Sequence, residues 1–243
     1  MKKILLLILA GVFVAVETVL AVFILLGHAN NNVSAELMYS VVVSAFIFAL
    51  AYTAVKRGFY LHLAALFFTV IADIFLILWP LDDFYLLGVL IFCCAQFFYM
   101  LETLRDASGI IRAANLFSRL PLFFFFEFIF YGVMGGSSFG ILEAITAFYY
   151  GNLVANVIFA FVKVRKSPLF AIGLLLFALC DLMVGINNAS NNLPALFTQI
   201  LQPNVAFWVW LFYVPSQTLI ALSLFWTKPV PLLSLRTRCA GSQ

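Results

Sequence analysis

The chain has 243 residues, 65% of them hydrophobic and 9% charged, with a formal net charge of +3. A soluble globular domain carries about 25% charged residues, so this balance excludes one and describes a polytopic membrane protein, all-α and forming a single domain over 1–243. The small basic excess is not a nucleic-acid surface, because the lysines and arginines sit at the ends of apolar segments, where they set topology; the expected partner is the lipid bilayer.

Eight apolar segments are long enough to cross about 30 Å at a rise of 1.5 Å per residue. They lie near 4–27, 37–55, 59–79, 84–104, 119–134, 139–162, 168–187 and 206–226. Lys2 and Lys3 precede an apolar run that outlasts the h-region of a signal peptide, so the first segment is read as a spanning helix. It carries Glu17, and Glu36 stands where the second begins. The third holds Asp73 and the fourth Gln96 and Tyr99, three residues apart and so on one helical face. The fifth contains the run LFFFFEFIFY with Glu127, and Gly135 and Gly136 after it are read as a tight outer turn. Glu143, Asn152 and Asn156 follow in the sixth, Asp181 in the seventh, and Tyr213, Pro215 and Gln217 in the eighth. Trp79, Trp208 and Trp210 are placed as interfacial anchors.

Cys93, Cys94, Cys180 and Cys239 show no metal-ligand spacing and are read as small apolar fillers. With His28 in an outer loop and His62 near the inner interface, no zinc site and no cofactor is expected. Phosphate-binding glycine loops and nucleophile elbows are absent from the sequence.

All thirteen basic residues fall on one side if the N-terminus is cytoplasmic. The positive-inside rule therefore predicts both termini in the cytoplasm. A bacterial plasma membrane is the expected setting.

Splitting the chain into halves of about 1–104 and 119–226 exposes a weak repeat. LFFTVIADIFLIL and LLLFALCDLMVGI each place an aspartate seven residues before a polar end, at Pro80 and Asn188. Gln96 and Gln217 descend to similar depth in the helices that follow, and Glu36 and Glu143 open corresponding helices. Four plus four helices predicts a parallel repeat about an axis along the membrane normal.

A carboxylate at the bilayer centre costs roughly 2.5–3.5 kcal/mol on insertion scales, so an intramembrane acid needs a partner, a proton or a polar cavity. No lysine or arginine is expected at the depth of Asp73 and Asp181. The two are expected to converge in the outer half of the bundle and to share a proton, an acid beside a base. Gln96, Asn187, Tyr213 and Gln217 are expected around them. Glu17 and Glu127 are read as carboxyls that merely hydrogen-bond a neighbouring helix, and Asn152 with Asn156 as lining of a polar cavity or interhelical glue.

Three blocks resemble the YhhN family of eight-helix membrane proteins, which includes the lysoplasmalogenases. They are ADIFLIL…FYLLGVLIFCCAQFFY, FALCDLMVGINN and YVPSQTLIA, spread over Leu61 to Ala221. The resemblance implies that Asp73, Asp181, Asn187, Tyr213 and Gln217 are site residues. It further implies a lysophospholipid-like substrate, whose vinyl ether bond is cleaved by aspartate acid–base chemistry. The chain departs from the family pattern in having Gln96 where a histidine is usual, Asn188 where an arginine is frequent, and no lysine in the second helix. Glutamine does not titrate as histidine does. Two other function classes fit the same acids: a proton- or cation-coupled transporter, and a lipid-binding relative without catalysis.

Overall fold

The computed structural model describes residues 2–29, 34–79, 82–133, 140–163, 165–188 and 205–229. The predicted turn at Gly135 and Gly136, Pro80, Cys239 and the two C-terminal arginines lie outside them. Among the described residues there is no strand, and eight helical stretches are long and apolar enough to cross a membrane. In chain order the helices are α1 (Lys2–Ala29), α2 (Ala35–Val55), α3 (Tyr60–Asp73), α4 (Asp82–Leu104), α5 (Gly109–Phe117), α6 (Arg119–Val133), α7 (Ile141–Val162), α8 (Pro168–Asn188) and α9 (Val205–Leu222). A π turn, Ile74–Leu78, extends α3, and a 3₁₀ turn, Ser223–Phe225, ends α9.

The fifth span differs from its predicted extent of 119–134. It begins at Gly109, where the Ser108 hydroxyl caps α5 by accepting from the Ile111 N–H at 3.4 Å, and it breaks briefly at Ser118. Arg112, outside the predicted 119–134, and Arg119, its first residue, therefore both lie in helices of this span.

Six helices close a ring in which each packs on the next: α2 on α3, α3 on α4, α4 on α7, α7 on α8, α8 on α9, and α9 back on α2. Outside the ring α1 leans on α2 and α9, and α6 leans on α7. Lipid-facing helices have no polar solvent to avoid, so α1 and α6 carry apolar residues all round, as Phe124, Phe125 and Phe128 do on exposed positions of α6. The ring interior instead holds small, branched and aromatic residues such as Val41, Ala45, Ala65, Leu153, Ala171 and Phe177. Small residues matter here because association of helices in lipid rests on close packing rather than on water exclusion. Gly173 shows it: a Cβ there would stand 3.0 Å from the Ile220 backbone nitrogen and 3.2 Å from the Ser216 carbonyl, so α8 and α9 approach closely only with glycine.

Candidate functional site

Asp73 is the last residue of α3, and the five residues after it form the π turn, closed by the Trp79 N–H on the Ile74 carbonyl at 2.8 Å. A π turn widens the helix and re-aims the side chains on either side of it, which is why such turns recur at functional sites. Gly88 of α4 makes room for it, since a Cβ at that position would lie 2.7 Å from Leu76. The Asp73 carboxyl points into the ring, 2% exposed, and accepts a hydrogen bond from the Tyr213 hydroxyl of α9. Pro215 follows two residues on; lacking an N–H it interrupts the α9 ladder, and the Ser216 hydroxyl binds the Tyr213 carbonyl at 2.7 Å.

Asp181 stands on α8, across the ring from α3. Its carboxyl accepts from the Tyr149 hydroxyl of α7, while the adjacent Tyr150 donates to its backbone carbonyl. Gly185, one turn on, leaves space for that phenol: a Cβ there would sit 2.8 Å from the Tyr150 hydroxyl. Asp73 and Asp181 are near enough that a charge on Asp181 would be felt at Asp73, and Tyr213 and Cys180 lie near both. Phe177 packs between the two tyrosine systems, its ring 5.7 Å from Phe92 and 6.3 Å from Tyr213.

The two aspartates are not equally accessible. Asp181 lines a cavity of about 580 Å³ together with Leu76, Val89, Phe92, Thr146, Tyr149 and Tyr150. At one end of the cavity Asn188 donates to the Tyr85 hydroxyl at 2.7 Å, and Glu143 holds the start of α7 by accepting from the Gly140 N–H at 2.8 Å. Asp73 does not line it. The cavity is apolar along most of its wall, with two carboxyls, three phenols and an amide on it, the usual composition of a small-molecule or lipid-chain site.

A family model, the YhhN family, matches residues 36–224. The chain belongs to the YhhN family. Neither the curated proteins nor the solved structures yield a significant match. The family match takes in both aspartates and every helix of the ring, and leaves α1 outside.

The remaining predicted residues separate into those near the aspartates and those elsewhere. Tyr99 is buried with its hydroxyl beside Thr69 and within Coulombic reach of Asp73. Gln217 is fully buried, its amide donating over 3.4 Å to Ser216, and its carbonyl oxygen meets no partner among the described residues. Gln96 turns another way: its side-chain oxygen and backbone carbonyl both accept from the Asn156 amide at 2.9 Å. Asn187 is exposed and does not line the cavity, where Asn188 stands instead. One residue along a helix is a turn of about 100°, enough to move a side chain from the ring interior to its outside.

Arg119, which the sequence puts at the very start of the fifth span, lies part-way along it. Its guanidinium donates to side-chain oxygens of Asn152, Asn115 and Asn156, each at 2.7 Å, and so joins the Gln96 amide to a polar network running between α4, α6 and α7. The (i, i+4) pair of asparagines was legible in sequence; the arginine that gathers them was not, because charge placement at a helix end reads as topology. The tyrosine pair at Tyr149 and Tyr150 was also missed, and its signal was two adjacent phenols in a span with few other polar groups. Glu17 fulfils the plain reading. It accepts from Ser44 of α2 and from Thr218 of α9 at 3.2 Å, in a separate groove between α1 and α9.

Proposed function

We propose that this protein is a membrane hydrolase of the lysoplasmalogenase type, cleaving the vinyl ether bond of a lysophospholipid-like substrate in the cavity beside Asp181. The observation that carries the reading is a carboxyl, paired with a phenol and within Coulombic reach of a second buried carboxyl, opening into an apolar cavity of about 580 Å³. Vinyl ether hydrolysis needs a proton delivered to the alkene carbon, and then water at the oxocarbenium carbon that results. Asp181, protonated, supplies the proton; its carboxylate then takes a proton from the attacking water. The hemiacetal so formed collapses to an aldehyde and the free glycerol hydroxyl, so one water is consumed and the carboxyl is restored. Asp73 acts from behind, since two carboxyls at this range favour a state in which one keeps the proton. Tyr149 orients the Asp181 carboxyl, and the Tyr85–Asn188 pair at the cavity end meets the polar part of the substrate.

The half-repeat supports a site shared between halves. Exchanging α1 with α6, α2 with α7, α3 with α8 and α4 with α9 maps the helix ring onto itself and each peripheral helix onto the other. Under that exchange Asp73 and Asp181 change places in outline, as the parallel repeat requires. Both termini are proposed to lie in the cytoplasm, on the rule that basic flanks stay inside. A cysteine introduced at Asn191 is then labelled only from the opposite side.

Purified protein in detergent, given a lysoplasmalogen, is expected to release a long-chain aldehyde stoichiometric with the glycerophospho head group. Absence of aldehyde from folded protein across a head-group series, with proton-coupled flux in proteoliposomes, would assign the acids to transport instead.

A further inference from the structure

The same helices that build the Asp181 cavity diverge again at their other ends, around a second pocket of about 370 Å³. Four cations line it, Arg105, Lys163, Lys166 and Lys228, against two carboxylates, Glu102 and Asp106. Arg105 and Glu102 neutralise each other, 2.5 Å apart, and the buried His62 imidazole lies 3.5 Å from the same carboxylate. The Lys163 ammonium donates to the Arg105 carbonyl, and burial draws its pKa below the usual lysine value. Lys166 and Lys228 are exposed side chains that make no ion pair or hydrogen bond with a carboxylate among the described residues.

Lys166 also stands just ahead of α8, whose N-terminus faces the pocket through Ser167 and Phe170. The helix dipole there adds partial positive charge. Ser167 occupies the capping position, yet its buried hydroxyl bonds nothing among the described residues. A donor left unpaired beside surplus lysines suits an anion with several acceptor oxygens. Trp226, 52% exposed, borders the pocket as an aromatic side chain of the kind found at the membrane interface.

We propose that this pocket binds the phosphate of an anionic glycerophospholipid, with Lys166, Lys228 and the Ser167 hydroxyl on the phosphate and the acyl chains lying along Trp226. The ligand chemistry is a phosphate oxyanion, and the exposed aromatic Trp226 beside it favours a membrane source over a dissolved one. The pocket is independent of the aspartate site: Glu102 and Phe92, which line the two cavities on α4, are ten residues or about 15 Å apart along the helix.

The test uses the full chain in a neutral detergent, with native mass spectrometry and thermal unfolding read in parallel. Phosphatidylglycerol is expected to remain bound and to raise the unfolding temperature, where phosphatidylcholine and millimolar inorganic phosphate do not. The variant Lys166→Gln/Lys228→Gln is expected to keep the parent unfolding temperature without lipid and to lose about tenfold or more in affinity for phosphatidylglycerol, since each surface lysine contributes substantially to binding an anionic lipid. Lys166→Arg/Lys228→Arg is expected to retain binding. Equal retention of phosphatidylcholine, an unchanged affinity in the glutamine variant, or an equal shift from inorganic phosphate would each overturn the assignment.

Discussion

Asp73 and Asp181 occupy matching places in the two halves of the sequence, yet the fold treats them differently. Both end in a hydrogen bond from a tyrosine, Tyr213 for the one and Tyr149 for the other. Asp181 opens into a cavity, whereas Asp73 is sealed behind Tyr213 and Tyr99 at 2% exposure. The lesson is that equal depth in the membrane does not give equal chemistry. A carboxyl that meets a cavity can exchange a proton with substrate or water, while a sealed one acts only through its neighbour.

The largest expected effect comes from breaking the open member. Asp181→Asn should lower turnover of a lysoplasmalogen by about 10²–10⁴, the range for a general acid, with the unfolding temperature unchanged. Asp73→Asn should fall to a similar floor if the pair holds one proton between them, and the double variant should be no slower than either single one. Parent-rate turnover by a folded Asp73→Asn protein would make the sealed carboxyl a structural group.

Removing the two phenols should split activity from stability. Tyr213→Phe strips the only hydrogen-bond donor that the described residues offer Asp73, and should cost about 1–3 kcal/mol of stability by denaturant or thermal unfolding. Tyr149→Phe should cost less stability, because water in the cavity can replace the lost hydroxyl beside Asp181, and should slow turnover more. A reversal of that order would mean that the cavity is dry at Asp181.

A smaller effect is expected from Gly185→Ala. The added methyl group meets the Tyr150 hydroxyl and should push it off the Asp181 carbonyl, raising KM a few-fold with a modest change in kcat. Glu17→Gln should be the mildest change, since the amide oxygen still accepts from one of the two hydroxyls, Ser44 or Thr218, its NH2 group can donate to the other, and the groove is remote from both aspartates. A loss of turnover as large as that of Asp181→Asn would place Glu17 in the reaction.

A sequence window of about twenty residues was enough for much of this protein. Apolar runs of about twenty residues can only be spanning helices, because every backbone polar group in lipid must be satisfied within the segment. The helix count, the all-α class and the likeness to the YhhN family followed from such runs and from three short blocks. Asp73 and Asp181 stood out for the same reason, since a carboxyl in an apolar run has few explanations. Their neighbours were less legible. Asn187 and Asn188 are equally polar and adjacent, and only the rotation of α8 puts the second in the cavity and the first outside it. Gln96 and Gln217 match in sequence, yet one joins the Arg119 network and the other faces Ser216.

By itself the sequence determined that the chain lives in lipid, how many times it crosses, and that two acids need an account, because solvation energy depends on residue type and run length alone. Only the tertiary structure decided that six helices close a ring with α1 and α6 outside, that Tyr149 rather than Gln96 meets Asp181, and that Arg119 serves the interior. Those outcomes depend on helix rotation and on which helices become neighbours, and these are set by close packing at small residues such as Gly173 and Gly88 across contacts distant in sequence.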